Sequence, residues 1–472
     1  MKNLLTLALL LTVLGCQTHM PADIAIQNIN VIDVQNGEVI ENQTVVIRNQ
    51  RISEIHGADS EVDTARLIDG TGKYLIPGLW DMHVHFRGGE ELIEENRNLL
   101  PLYIANGITT VRDGGGDITP SVLEWINQID RGELTGPTIF TSGPKLDGPN
   151  PRWGGSIEIE SAEQIPAAID SLESLGVDYV KIYDSTLSGD LFMAIVEEAD
   201  RRGLPVTGHM PFELIFEETV KQGLSATEHI FYAFKGSSSE EEEITREMME
   251  RQGTDNPMGF REMLVRLMES QDEEHSADLY QAMVEYETGI IPTLHIMDVL
   301  ANLKNRDHSS DEYLDYIGPG IQETYQGRLR AALNAPDDQL NIYDLPGYGN
   351  VVTAMANQGV RIYAGSDAGP YNTFVYPGIS LHRELQLLVD AGLTPAQALQ
   401  AATYHPPHFF DLQDSYGRVS EGYAADLLLL DANPLENISH TERIHMVIVN
   451  GHKVYEKSGL VRMLEELREL YE

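Results

Sequence analysis

Six residues of metal-ligand type close successive strand-like segments of this chain, and nothing else in it restricts the fold as much. His83 and His85 lie in LIPGLWDMHVHF at 75–86 and Lys181 in DYVKIYD at 178–184, while His209 ends LPVTGH, His229 ends LSATEH and Asp367 ends VRIYAGSD. Positions i and i+2 of a strand point to one face, so His83 and His85 can reach one cation. An isolated His-x-His also arises by chance on surface strands; four further ligand types at strand ends change its meaning. Short apolar runs separated by helix-like stretches are the pattern of a parallel sheet, and a barrel closed from them gathers its strand ends around one mouth. The set reads as a two-metal hydrolytic centre.

At 472 residues the chain has room for one large α/β barrel and a smaller domain. Strands are expected near 75–83, 108–113, 137–142, 178–183, 204–209, 224–229, 289–294 and 360–366, the number a (β/α)8 TIM barrel needs. Residues 22–72 and 416–458 are β-rich with turns such as Asn36-Gly37 and Asn450-Gly451, and the two ends are expected to pair into a small β-sandwich domain. The barrel then occupies 73–415. Residues 236–288, with the run SSSEEEE and several methionines, are too long for one crossover helix; they read either as a lid over the catalytic face or as a helical elaboration. The stretch 302–345 can also rim the pocket, and 459–472 reads as an acidic amphipathic helix docked to the domain.

Charge and termini narrow the partners. With 32 basic and 74 acidic residues the net charge is −42, which argues against nucleic acid and against adhesion to anionic lipid. Lys2 followed by an apolar stretch over Leu4–Leu14 reads as a secretory signal over 1–15, too short to span a membrane. The segment VLGC resembles the lipobox of bacterial lipoproteins, and Cys16 is the sole cysteine, so lipidation there is expected. Gln17 follows it in place of the aspartate that retains lipoproteins in the inner membrane. That resemblance implies a periplasmic protein anchored to the outer membrane only through its lipid.

Lys181 sits inside an apolar strand, where a charged ammonium is costly unless paired. One reading is a salt bridge. The other is a neutral amine that takes up carbon dioxide, giving a carbamate whose two anionic oxygens bridge two metals. Asp367, in GSDAG, either caps the following helix or touches a metal and accepts a proton from water there. His209 and His229 have the plainer alternative of hydrogen-bonded barrel histidines.

The segments PGLWDMHVH, GITTVRD at 107–113, the lysine, the two histidines, GSDAG and GRVSEGYAADLLLLDANPL at 417–435 together resemble the amidohydrolase superfamily. They are closest to its imidazolonepropionase-like and metal-dependent prolidase branch. The resemblance implies that His83, His85 and Asp367 bind one divalent ion and His209 and His229 another, both zinc, with a CO2-derived carbamate on Lys181 bridging them. It assigns Tyr232 to the substrate carboxylate or carbonyl. Arg152, Trp153 and His295 are further candidates for lining the pocket of a small-molecule amide substrate. TYHPPHFF at 403–410 departs from the family's usual Asn-Pro-Ala-like segment. The expected activity is cleavage of an amide in a dipeptide or N-acyl amino acid by a metal-bridging hydroxide. Two alternatives stand beside it: a one-metal deaminase or cyclic-amide hydrolase, and a non-catalytic envelope binding lipoprotein. Sequence leaves the oligomeric state open.

Overall fold

The computed structural model describes residues 22–57, 60, 62–336, 340–343 and 347–471. The expected signal segment and Cys16 lie outside them. Among the described residues no helix is long and apolar enough to cross a membrane.

Both chain ends build one eight-stranded sheet. Its N-terminal part is β1 (Ala22–Asp33), β2 (Glu38–Arg48), β3 (Arg51–Gly57), β4 (Thr64–Asp69) and β5 (Tyr74–Pro77), and the chain returns to it as β15 (Leu427–Leu430), β16 (Ile444–Val449) and β17 (Lys453–Glu456). The order is β17-β16-β15-β5-β1-β2-β3, with β4 on β1 beside β5. Register shifts at Ile26, Ile29 and Val31 break the β1–β2 ladder, and β1 pairs with β4 through its first half and β5 through its second. Such irregularities bend a strand and increase its twist. The sheet encloses its own core, including Ile26, Ile47, Leu75, Leu427 and Ile448, all fully buried.

Leu75 to Pro77 belong to this sheet and not to the first barrel strand, as sequence suggested. The break falls at Gly78, where a Cβ would collide with the Thr109 side chain. Barrel pairing starts with β6 (Leu79–Val84) and continues through β7 (Ile108–Asp113) and β8 (Thr138–Thr141). Two short pieces lie on one side of β11 (Val180–Ile182), β9 (Leu146–Asp147) against it and β10 (Ile157–Glu158) outside β9, and β12 (Val206–Gly208), β13 (Ala226–Glu228) and β14 (Gly289–Ile291) follow on the other. The eighth position, expected as a strand over 360–366, carries only the bridges Ile290–Ile362 and Val84–Ala368. Its hydrogen bonds still close the ring: Tyr363 N–H to Ile290 O at 2.8 Å, Met82 N–H to Ala364 O at 2.9 Å. This is a TIM barrel with a separate β domain, and every barrel strand from β6 to β14 points its C-terminal end toward one mouth.

The 236–288 insertion resolves into three helices with two different jobs. Glu273–Glu285 packs on Phe216–Lys221 and leads into β14, so it is the ordinary crossover helix. Glu241–Arg251 and Phe260–Glu269 are the true addition, and Phe260 reaches the central cavity. From the 302–345 stretch, Thr324, Arg328 and Tyr343 rim the same cavity. The last helix, Lys457–Glu469, buries Leu460 and Leu467 against the body of the protein.

Candidate metal centre

His83 lies in β6 and His85 just beyond it, both buried, with their rings nearly perpendicular at 83°. Asp367 arrives from the eighth position. Its Oδ1 stands 3.3 Å from His83 Nε2 and 3.2 Å from His85 Nε2, and one ligand atom from each residue falls within 4.8 Å of the others. Small residues permit this approach, since a Cβ on Gly365 would lie 2.8 Å from His83 Cβ and one on Gly369 2.9 Å from His85 Cβ. The loop is pinned from below by Asp81, which accepts from Ser366 N–H at 2.9 Å and Ser366 Oγ–H at 2.6 Å.

His209 and His229 form the second half. Their Nε2 atoms face each other at 3.0 Å. His229 Nδ1 is 2.7 Å from Thr293 Oγ1, and His209 Nδ1 is 3.5 Å from Asp184 Oδ1. With Nδ1–H turned outward on both rings, the two Nε2 lone pairs converge on one point, as in chelation of a single cation. The His83 and His229 rings lie 5.3 Å apart, so the two halves adjoin. Burial holds all four imidazoles below the usual histidine range, His83 to about 4. They are therefore neutral, the form that binds metal. Burial would raise Asp367, but the neighbouring His83 and His85 hold its carboxyl well below the ordinary range.

Lys181 reaches the same place from β11. Burial, then the charge of Arg112, pushes its ammonium well below the ordinary lysine range. Its Nζ contacts Glu228, a residue that sequence reading missed. Glu228 is wholly buried, 3.3 Å from His83 Nδ1 and 2.9 Å from the Arg112 guanidinium. Arg112 is equally buried: its Nε donates to Met82 O at 2.6 Å, and its guanidinium lies over Tyr179 and Phe409 at 5.1 and 4.8 Å. Phe409 comes from the segment that departs from the family pattern, which thus supplies a barrel plug. The available signal was the charge itself, since Arg112 in ITTVRD stands inside an apolar run just as Lys181 does.

Three residues of the site adopt left-handed backbone: His229 at φ 64°, Thr293 at 52° and Asp367 at 59°. Each such residue costs roughly 1–3 kcal/mol and persists only where the surroundings enforce it. At His229 the effect is specific. Strand alternation would send Glu228 and His229 to opposite faces, whereas the left-handed turn brings both into the barrel interior.

The centre opens into a cavity of about 680 Å³. Tyr232, Arg152 and Trp153 line it. Tyr232 is buried beside His209 and Phe212, and its hydroxyl bonds Asp184, whose carboxyl burial pushes up to about 6. His295 does not line it. β14 ends at Ile291, so residue 295 belongs to the helix Leu294–Ala301 and its side chain borders a separate cavity of about 240 Å³. That helix shows Ile296, Met297 and Leu300 to the central cavity instead.

The profile of the amidohydrolase family matches residues 74–254 and 345–454 of this chain. The ochratoxinase of Aspergillus niger is 23% identical, with 92% of this chain and 87% of that protein covered. The imidazolonepropionase of Vibrio cholerae is 23% identical, covering 90% and 96%. Among solved structures, a Xaa-Pro dipeptidase with methionine in its active site superposes with a TM-score of 0.66 at 21% identity, over 92% of this chain and 99% of that one. At such identity the superposition speaks for the fold alone.

Proposed function

The chain belongs to the amidohydrolase family, a family of metal-dependent hydrolases acting on amide and other carbon–nitrogen bonds, and we propose on that basis that it is a binuclear enzyme cleaving the amide of a dipeptide or N-acyl amino acid. The observation that carries this reading is the paired convergence of ligand atoms: His83, His85 and Asp367 on one side, the facing Nε2 atoms of His209 and His229 on the other. The donor set fits divalent ions. Neither nitrogen of His83, nor Nδ1 of His85, makes a hydrogen bond despite complete burial, and such orphaned groups are rare without a ligand. Nitrogen donors with one carboxylate suit zinc.

His83, His85 and Asp367 would hold one ion and His209 and His229 the other. Carbon dioxide added to the neutral Nζ of Lys181, with release of one proton to solvent, would supply a carbamate as a further oxygen donor to the ions, leaving Glu228 to Arg112. When bound, the ions polarise a carbonyl and lower the pKa of water. The rest falls to the chain. Asp367 Oδ takes a proton from the attacking water and passes it to the departing nitrogen. Thr293 Oγ1, at 2.7 Å, holds His229 in the Nδ1–H tautomer, and Asp184 faces His209 Nδ1 at 3.5 Å. Tyr232, beside His209, faces the substrate carbonyl or carboxylate.

For location we propose a lipid on Cys16 holding the enzyme at the periplasmic face of the outer membrane. The support is VLGC and the single cysteine.

The test is metal analysis of the mature protein, joined to a hydrolysis screen with dipeptides and N-acyl amino acids. Two equivalents of metal and turnover of either class are expected. One equivalent, unchanged in Lys181→Ala, establishes the mononuclear alternative. Full metal content with no amide cleaved overturns the activity.

A further inference from the structure

In a chain with 74 acidic and 32 basic residues many surface arginines find a carboxylate, and one left in water without a partner loses little. Arg202 meets Asp170, Glu173 and Glu198; Arg251 meets Glu247 and Glu262. Three arginines in the central cavity do not: Arg87, Arg152 and Arg328 make no ion pair among the described residues. Arg87 is the telling one. It is 5% exposed, its Nε makes no hydrogen bond, and its guanidinium carbon lies over aromatic rings, 4.2 Å from the Trp153 centroid and 5.5 Å from that of Tyr371. A buried charge without a counter-ion is expensive, and an oriented one lining an open cavity is a receptor for an anion.

Its place in the site fixes which anion. One Arg87 NH2 donates to Asn372 Oδ1 at 3.2 Å, and Asn372 Nδ2 donates to Asp367 Oδ1 at 2.6 Å, so a single asparagine separates the guanidinium from a metal ligand. Ring contacts then divide the cavity at His209. Toward Arg87, His209 packs on Tyr183 with centroids 4.3 Å apart, and Tyr183 meets Trp153 edge-on. Away from it, His209 meets Tyr232, then Phe212, then Phe260, with Phe231 beyond.

We propose, resting on the amide-hydrolase reading above, that Arg87 binds the free carboxylate of the amino-acid half of the substrate while Phe212, Phe231 and Phe260 receive an apolar, preferably aromatic, acyl group. The substrate class is thus an N-acyl amino acid with a bulky uncharged acyl portion. Arg152, more exposed, steers the anion inward.

Two substrates sharing one acyl group decide the matter: N-benzoyl-leucine, and N-benzoyl-isoamylamine, which is the same amide without the carboxylate. The holoenzyme should prefer the first by about 100-fold in kcat/KM, and Arg87→Met should shrink that ratio towards one with metal content retained, while Arg87→Lys keeps part of it. Calorimetry with the uncleaved N-benzylleucine should show Arg87-dependent binding. Equal kcat/KM for the two amides in the natural protein overturns the carboxylate site and leaves amide hydrolysis standing. Arg87-dependent binding of N-benzylleucine with neither amide cleaved supports the site and overturns the hydrolase reading. If Arg87→Met does not fold, the ratio of the two amides in the natural protein is decisive by itself.

Discussion

Nε2 of His209 and Nε2 of His229 face each other at 3.0 Å while both Nδ1 atoms point away from the centre. With Nδ1–H on both rings neither Nε2 carries a proton, and both lone pairs are then available to one cation. The left-handed backbone at His229 aims the ring inward, and the Thr293 hydroxyl, 2.7 Å from Nδ1, holds it there.

Thr293→Val removes the hydroxyl at nearly constant shape. Partners of this kind typically contribute 10–100-fold to metal affinity. The weaker of two binding steps should therefore fall by about that factor, with the other step unmoved, in competition titrations against a chromophoric chelator. Two unchanged affinities would mean that Thr293 does not set the tautomer.

Asp367→Asn keeps a coordinating oxygen and loses the base. Turnover should drop about 10²–10⁴-fold with metal largely retained. If Asp367 only capped a segment end, the variant would lose roughly 0.5–2 kcal/mol of stability and keep its turnover. Measuring kcat, bound metal and melting temperature on one preparation separates the two outcomes.

Arg112→Met would strand the Glu228 carboxylate in the barrel, since the neutral Lys181 beside it supplies no charge. Breaking a buried pair from one side costs about 3–5 kcal/mol, whereas replacing both partners is far cheaper. Urea unfolding should show that loss for Arg112→Met and recovery of most of it when Glu228→Gln is added. A single-variant loss below about 1 kcal/mol, with no recovery in the double variant, would show that Arg112 is not the counter-ion that matters.

The barrel strands and their ligand ends were readable because the information is local. Apolar runs of strand length end in residues that only a metal or an ion pair makes worthwhile in a core, as at Lys181 and His209. The misses come from geometry that no local pattern encodes. Glu228 was hidden because alternation hands the inward position to His229 alone, and only φ 64° at His229 gives both residues the interior. His295 was misplaced because β14 stops at Ile291, four residues earlier than a ligand-like reading needs. Leu75 to Pro77 looked continuous with β6, since the break at Gly78 depends on its distant neighbour Thr109. Arg87 carried no signal beyond its proximity to the histidine pair; its unpaired state is a property of the folded cavity.

Glu384 yields a prediction away from the metal ligands. Its carboxyl accepts from the N–H groups of Leu294 at 3.1 Å and His295 at 2.7 Å, capping the helix whose Met297 and Leu300 line the cavity. Burial nevertheless pushes it up to about 8, from an ordinary value of 4.5. Between those limits the unfolded chain has released this proton and the folded chain still holds it. The folded state therefore binds more protons, and this group's contribution to stability falls as pH rises through the window. Glu384→Gln keeps an oxygen acceptor and has no proton to lose, so the difference in urea midpoint between pH 5 and 8.5 should shift in the variant toward better relative stability at high pH. Comparing variant with natural protein at each pH cancels the buried histidines, whose own lowered values act in the opposite direction below about pH 6.5. Identical pH dependence in both proteins would show that Glu384 is ionised in the folded state throughout, its two backbone donors outweighing its burial.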